Sequence, residues 1–215
     1  MKKYPAILEA FLAVALLIGC SSENGTPANP TGVGNGQNED FINKDGVLFD
    51  SRDGQIYRVV TIGAQTWMAQ NLAYETYDCE YFSGCIQCGR LYSRPDAYTV
   101  CPSGWHLPSS SEWEMLYKNM GESPYAMQAQ GFEEWPNATD AYNFSVLPVT
   151  SYSRLTASII SGTSFWSSTV SGSGNDANSY KFYYWNLQAN GAGVFSIDDA
   201  VIAEYSFLSV RCVKD

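Results

Sequence analysis

The chain has a single histidine, His106, in 215 residues. The common serine, cysteine and metal hydrolases take their base or a ligand from histidine, so those mechanisms have at most one anchor here. His106 stands between Trp105 and Leu107, an apolar setting that reads as a packed structural residue. Basic side chains are also scarce: 12 Lys and Arg face 22 Asp and Glu, a net charge of −10. Nucleic-acid binding rests on basic patches that meet phosphates, which sets nucleic acid aside as a partner. The acidity reads instead as the solubility of an exported protein. The apolar run Ala10 to Ile18 stops well short of the roughly 20 residues that a bilayer crossing needs. Oxygen ligands in a calcium-like arrangement are too few to expect that ion, and Asp198-Asp199 reads as a solvated turn.

What is present starts at the N-terminus. Lys2 and Lys3 precede the apolar run, which ends in Leu17-Ile18-Gly19-Cys20. This resembles a bacterial lipoprotein signal. The resemblance implies lipidation of Cys20, a membrane partner through that lipid, and a place in the cell envelope, at the outer membrane or cell surface. Several acyl chains would anchor stably, since each buried methylene adds about 0.8 kcal/mol. Residues 21–45 are rich in Ser, Asn, Gly, Pro and Thr, with almost nothing apolar before Phe41. Such a segment buries too little to offset its ordering entropy. The expected organisation is a signal peptide over 1–19, a flexible tether over 20–45 and one domain over 46–215.

Within that domain, Val47-Leu48-Phe49 and Ile56 to Ile62 read as a hairpin turned by Asp53-Gly54. Gly63 leads into a third piece at Thr66-Trp67-Met68. The best helix runs from Ser110 to Met120. Ser109 is its N-cap and Glu112 completes a capping box. Trp113, Leu116, Tyr117 and Met120 share one helical face, and Gly121 is a natural stop. Residues 122–142 show no clean period and read as a long, partly packed loop. Phe144 to Val149, Ser164 to Thr169, Tyr180 to Leu187, Gly193 to Ile197 and Phe207 to Val213 read as strands. Ser171 to Asn178 reads as a polar loop and Asn190-Gly191 as a turn. In the last strand Leu208, Val210 and Cys212 fall on one face by period two. Terminal strands with a helix between them give an α+β domain.

Several blocks carry a family resemblance. Asp50-Ser51-Arg52-Asp53-Gly54-Gln55-Ile56-Tyr57, Ile62-Gly63 and Trp67-Met68-Ala69-Gln70-Asn71-Leu72 form the opening. Gly89-Arg90-Leu91-Tyr92, Cys101 to Pro108 with Glu112-Trp113, Phe165-Trp166-Ser167-Ser168-Thr169 and Ser209 to Asp215 follow in order. Together they resemble the Fibrobacter succinogenes major paralogous domain over about 46–215. That family is in turn similar to C-type-lectin-like domains and the formylglycine-generating enzyme superfamily, through Leu107-Pro108 and Glu112-Trp113. The resemblance implies an exported, often lipid-anchored domain of C-type-lectin-like form with a long-range disulfide. With Cys20 lipidated, five cysteines remain, so oxidation leaves at least one thiol over. The resemblance pairs Cys101 with Cys212 and Cys79 with Cys85. Cys88 stands where the family usually has a tyrosine, which makes it the expected free thiol. Cys79–Cys88 is the competing pairing.

Cys85-Ile86-Gln87-Cys88 has redox spacing, but neither a βαβ context nor a helix start is visible, and the spacing reads as structural. Cys79, Cys85, Cys88 and Cys101 lack the paired spacing of a zinc knuckle. The oxidase relatives use a cysteine pair near their C-terminal end, whereas here only Cys212 lies in that half and the bridge claims it. Trp185-Asn186-Leu187 and Trp135-Pro136-Asn137 each lack the acidic residue of a lectin-type calcium motif. Tyr180, Phe182, Tyr183, Tyr184 and Trp185 crowd one strand, and either a ligand-stacking surface or a two-sided core would account for them. The expectation is a non-enzymatic binding or adhesion protein with a glycan or protein ligand. It has no catalytic residues, metal or cofactor. A carbohydrate-binding module and an oxidase related to the formylglycine-generating enzymes are the alternatives.

Overall fold

The computed structural model describes residues 41–43, 46–81, 85–149, 151–153, 158–160, 162–172, 181–188, 193–199 and 206–215. The signal, Cys20 and most of the tether lie outside these residues, as do most of the polar loop after Ser171 and the Asn190-Gly191 turn.

The opening hairpin forms where its turn residues place it. Strands β1 (Phe41–Ile42), β2 (Val47–Phe49), β3 (Ile56–Ile62) and β4 (Gln65–Met68) run antiparallel in sequence order. Phe41 pairs with Phe49 and Ile42 with Leu48. Two residues assigned by composition to the tether therefore belong to the sheet. Ile42 packs against the core between the sheets. Gly63 turns β3 into β4 at φ 61°, and a Cβ there would lie 2.3 Å from the Asn119 amide. A side chain at that turn would be strained at this φ and would displace the Asn119 amide.

The hairpin β5 (Cys79–Tyr81) and β6 (Arg90–Tyr92) follows, joined through a short 3-10 turn at Ile86–Cys88. Then come α1 (Arg94–Ala97), β7 (Trp105–His106), α2 (Ser110–Asn119) and α3 (Pro124–Met127). The later strands are β8 (Ser151–Ser153), β9 (Ser158–Ile160), β10 (Thr163–Ser171), β11 (Lys181–Leu187), β12 (Gly193–Asp199), β13 (Ser206–Ser209) and β14 (Val213–Lys214). The α+β class holds. One sheet has the order β1-β2-β3-β4-β14-β7, and the other runs β12-β11-β10-β13-β6-β5 with β8 and β9 attached at β13. Among the described strands all pairs are antiparallel except β10 with β13.

The expected last strand, Phe207 to Val213, is divided. Its first half is β13, between β10 and β6, and its second half is β14, between β4 and β7. Val210, Arg211 and Cys212 carry the chain from one sheet to the other and are all buried. Phe144 to Val149 is not a strand. It makes a single bridge, Gln128 with Val146. Asn143 and Ser145 sit at φ 55° and 54°, a left-handed conformation that breaks an extended run.

The core has two main parts. Leu48, Tyr57, Met68, Tyr92, Trp166, Phe182, Leu208 and Cys212 join the two sheets. Trp67, Trp113, Leu116, Phe144, Phe165, Trp185 and Val213 pack where α2 meets both sheets. The capping box forms as the sequence predicts, with Ser109 and Glu112 bonding each other's backbone N–H. Of the expected apolar face, Trp113, Leu116 and Met120 are buried and Tyr117 is partly so. Trp113 stacks on Trp185 at 6.1 Å and 10° and lies 4.7 Å from Trp67. The helix thus fixes one sheet against the other.

Candidate functional site

His106 is held on both sides by carboxylates. Its Nδ1 lies 2.6 Å from Asp215 Oδ1 and its Nε2 lies 2.8 Å from Glu112 Oε1. Only the imidazolium can donate from both ring nitrogens. Glu112 is itself fixed by the Ser109 backbone N–H and hydroxyl, each 2.7 Å from Oε2. Neither ring nitrogen is left to take a substrate proton, so the histidine is a clamp joining β7, the start of α2 and Asp215.

Partial burial alone would lower the His106 pKa, but the hydrogen bonds and charges of Asp215 and Glu112 outweigh it and raise it above 6.5. Burial would raise Glu112, but Ser109 and His106 outweigh that and hold it below 4.5. The sign for stability follows from linkage. The histidine contribution is full below about pH 6.5 and is lost as pH rises through the higher folded value. The glutamate contribution is full above about pH 4.5 and is lost as pH falls through the lower folded value. Thermal midpoints measured from pH 4 to 9 are therefore expected to peak between these limits. His106→Gln should flatten the decline on the alkaline side. An unchanged alkaline slope would show that the clamp contributes nothing.

The cysteines depart from the expected pairing. Cys101 and Cys212 are bridged, with Cα atoms 5.9 Å apart across 111 positions. Cys85 is bridged to Cys88, not to Cys79, and Cys79 keeps its thiol. The expected Cys79–Cys85 bridge and free Cys88 are thus corrected, as is the competing Cys79–Cys88 pairing. The reason is strand parity. Cys79 pairs with Tyr92 and Glu80 with Leu91. Cys79 and Tyr92 face the core between the sheets. Leu91 points the other way and packs with Cys88, Cys85, Val149 and Phe207. The thiol and the bridge occupy opposite faces of one hairpin. Bridging Cys101 to Cys212 and Cys85 to Cys88 also divides the four sulfurs of the zinc alternative.

Tyr180 lies outside the described residues, and the rest of the crowded aromatic strand is a two-sided core rather than a stacking surface. On β11, Phe182 joins the core between the sheets while Trp185 joins the core around α2. Asn186 is buried and donates to Ser164 Oγ at 2.8 Å, so the Trp185-Asn186-Leu187 segment faces inward. Among the described residues no three His, Cys, Asp or Glu side chains converge as a metal site.

The loop after α2 holds several side chains out to solvent. Tyr125 and Tyr142 are exposed on it, with Gln130, Asn137 and Asn143. The Tyr125 carbonyl accepts from Thr139 N at 2.8 Å and from Thr139 Oγ1 at 3.2 Å. This brings Tyr125 beside the segment that ends in Tyr142. Asp140, Asn143 and Ser145 all have positive φ. Asp140 takes both the Ser145 N–H and its hydroxyl, at 2.8 and 2.6 Å.

Beneath the loop lies Arg211, a residue sequence reasoning did not single out. It is 1% exposed. Its guanidinium donates to Asn71 Oδ1 at 2.9 Å, to the Ser145 carbonyl at 2.9 Å and to the Phe144 carbonyl. It also stacks on Phe144 at 4.5 Å and Phe165 at 5.4 Å. Burial pushes its pKa down. The signal that could have pointed to it was an arginine inside an otherwise apolar strand pattern. Asn71 in turn donates to the Cys88 carbonyl at 2.9 Å.

The motif blocks noted in the sequence meet at these residues. A family model, the Fibrobacter succinogenes major domain, matches residues 60–214. The chain belongs to this family. No curated protein and no solved structure matches it. In this Fibrobacter succinogenes major domain protein the motif blocks build the interior. Arg52 forks onto Asp50 through Nε at 2.8 Å and Nη2 at 2.7 Å, which fixes the first hairpin turn. Asn71, Arg90 and Arg211 tie the middle and last blocks together, with Arg90 Nε on the Ala73 carbonyl at 3.1 Å.

Proposed function

We propose that this Fibrobacter succinogenes major domain protein is a non-enzymatic binding or adhesion module. It is held to the bacterial envelope by lipid on Cys20, and the loop face around Tyr125 and Tyr142 is its contact surface. One observation carries this reading. Tyr142 sits on a segment with three residues at positive φ, tied to Tyr125 through Thr139 and held from below by a buried arginine. Such backbone is costly and persists where the surroundings determine it, and a fixed loop binds with less ordering cost than a flexible one. A likeness to C-type-lectin-like domains agrees with a loop-borne site. Exposed tyrosines flanked by amide side chains suit a sugar ring, which supports a carbohydrate ligand as the finer alternative. The oxidase alternative loses support because Cys212 is bonded to Cys101.

The test uses glycan and protein arrays probed with the purified domain, and cells carrying the full chain. A ligand should be captured in the micromolar range. Tyr125→Ala with Tyr142→Ala should weaken capture at least tenfold without moving the thermal midpoint by more than a few degrees. In cells, Cys20→Ala should release the protein from membranes. No capture at high micromolar concentration would sink the binding role, and unchanged fractionation would sink the anchor.

A further inference from the structure

We propose that the Cys85–Cys88 bridge is a thiol–disulfide exchange site, open to attack by the thiolate of a dithiol protein, while Cys101–Cys212 is the permanent staple. Three observations place it. First, β5 and β6 are paired through Cys79–Tyr92, Glu80–Leu91 and Tyr81–Arg90. The hairpin is closed by its backbone, and the bridge spans a turn of three positions at the edge of a sheet. Opening it breaks no strand pair. Opening the other bridge frees the crossing between the two sheets, where Cys212 is 0% exposed.

Second, the two sulfurs are unequal. Both pack with Leu91, Val149 and Phe207, but Cys85 is partly exposed whereas Cys88 is 5% exposed. Its carbonyl is held by Asn71. Attack therefore falls on Cys85, and the released Cys88 sulfur stays in place to reclose the ring. Third, Cys79 faces the opposite side of the hairpin, so it does not compete for either sulfur.

The exchange is balanced in thiols. The partner thiolate bonds to Cys85 Sγ, the Cys85–Cys88 bond breaks and its electron pair leaves on Cys88. A second partner thiol then displaces Cys85. The partner ends as a disulfide and this chain as a dithiol. The chain acts as the substrate of the exchange, which needs neither a βαβ unit nor an activated thiol of its own.

The test is a redox titration of the wild-type domain in reduced and oxidised dithiothreitol, with alkylation and peptide mapping. Cys85 and Cys88 should become alkylated at a dithiol-to-disulfide ratio at least tenfold lower than Cys101 and Cys212 require. If the pairs open together, or Cys85–Cys88 outlasts the other, the proposal is wrong. Variants add a second readout. With glutathione disulfide, Cys88→Ser should form a mixed disulfide at Cys85 at least tenfold faster than Cys85→Ser forms one at Cys88. Equal rates would overturn the assigned order of attack.

Discussion

Replacing Cys101 and Cys212 together by serine should lower the unfolding free energy by about 5 kcal/mol. The bridge closes a loop across 111 positions, and the chain-entropy model gives about that value for so long a loop. A domain of this size is stable by only about 5–15 kcal/mol, so the variant should lose about a third or more of its stability. The corresponding pair at Cys85 and Cys88 closes a loop across 3 positions and should cost about 2 kcal/mol in the same model. Urea unfolding of the two double variants measures the difference. Equal losses would mean that loop closure is not what the long bridge contributes.

Arg211→Met should cost about 4 kcal/mol. Methionine ends where arginine has its Nε, so the apolar stem is kept and the guanidinium is removed. What is lost is a donor for Asn71 Oδ1 and for the Phe144 and Ser145 carbonyls. Leaving a buried acceptor unmet costs about 1–3 kcal/mol, and two of these are backbone groups that no compensating substitution can remove. Arg211→Lys should recover less than half, because an ammonium lacks the planar fork that reaches three acceptors. A loss below about 1 kcal/mol for the Met variant, measured by urea unfolding, would show that water replaces the guanidinium without penalty.

Local chemistry was readable from the sequence. The α2 capping box, its Trp113-Leu116 face and the Asp53-Gly54 turn are all set by residues within a few positions of one another. The Cys101–Cys212 bridge was implied by family likeness rather than by local pattern. What failed depends on register between distant strands. Cys79 was paired wrongly because its facing side is set by opposition to Tyr92, which spacing along the chain does not reveal. The aromatic run on β11 was ambiguous because it is covered on both faces. Phe144 to Val149 has strand composition, yet Arg211 holds the Phe144 and Ser145 carbonyls in another conformation. The motif blocks carry scaffold contacts, so they name the family while leaving the Tyr125–Tyr142 face unmarked.

The segment from Ser206 to Lys214 supplies an interior strand to each sheet. A ribosome makes it after every other described strand. Until it emerges, β10 lacks its parallel neighbour β13, and β4 has no link to β7. A chain that stops short of Ser206 is therefore expected to hold two sheets that each lack an interior strand.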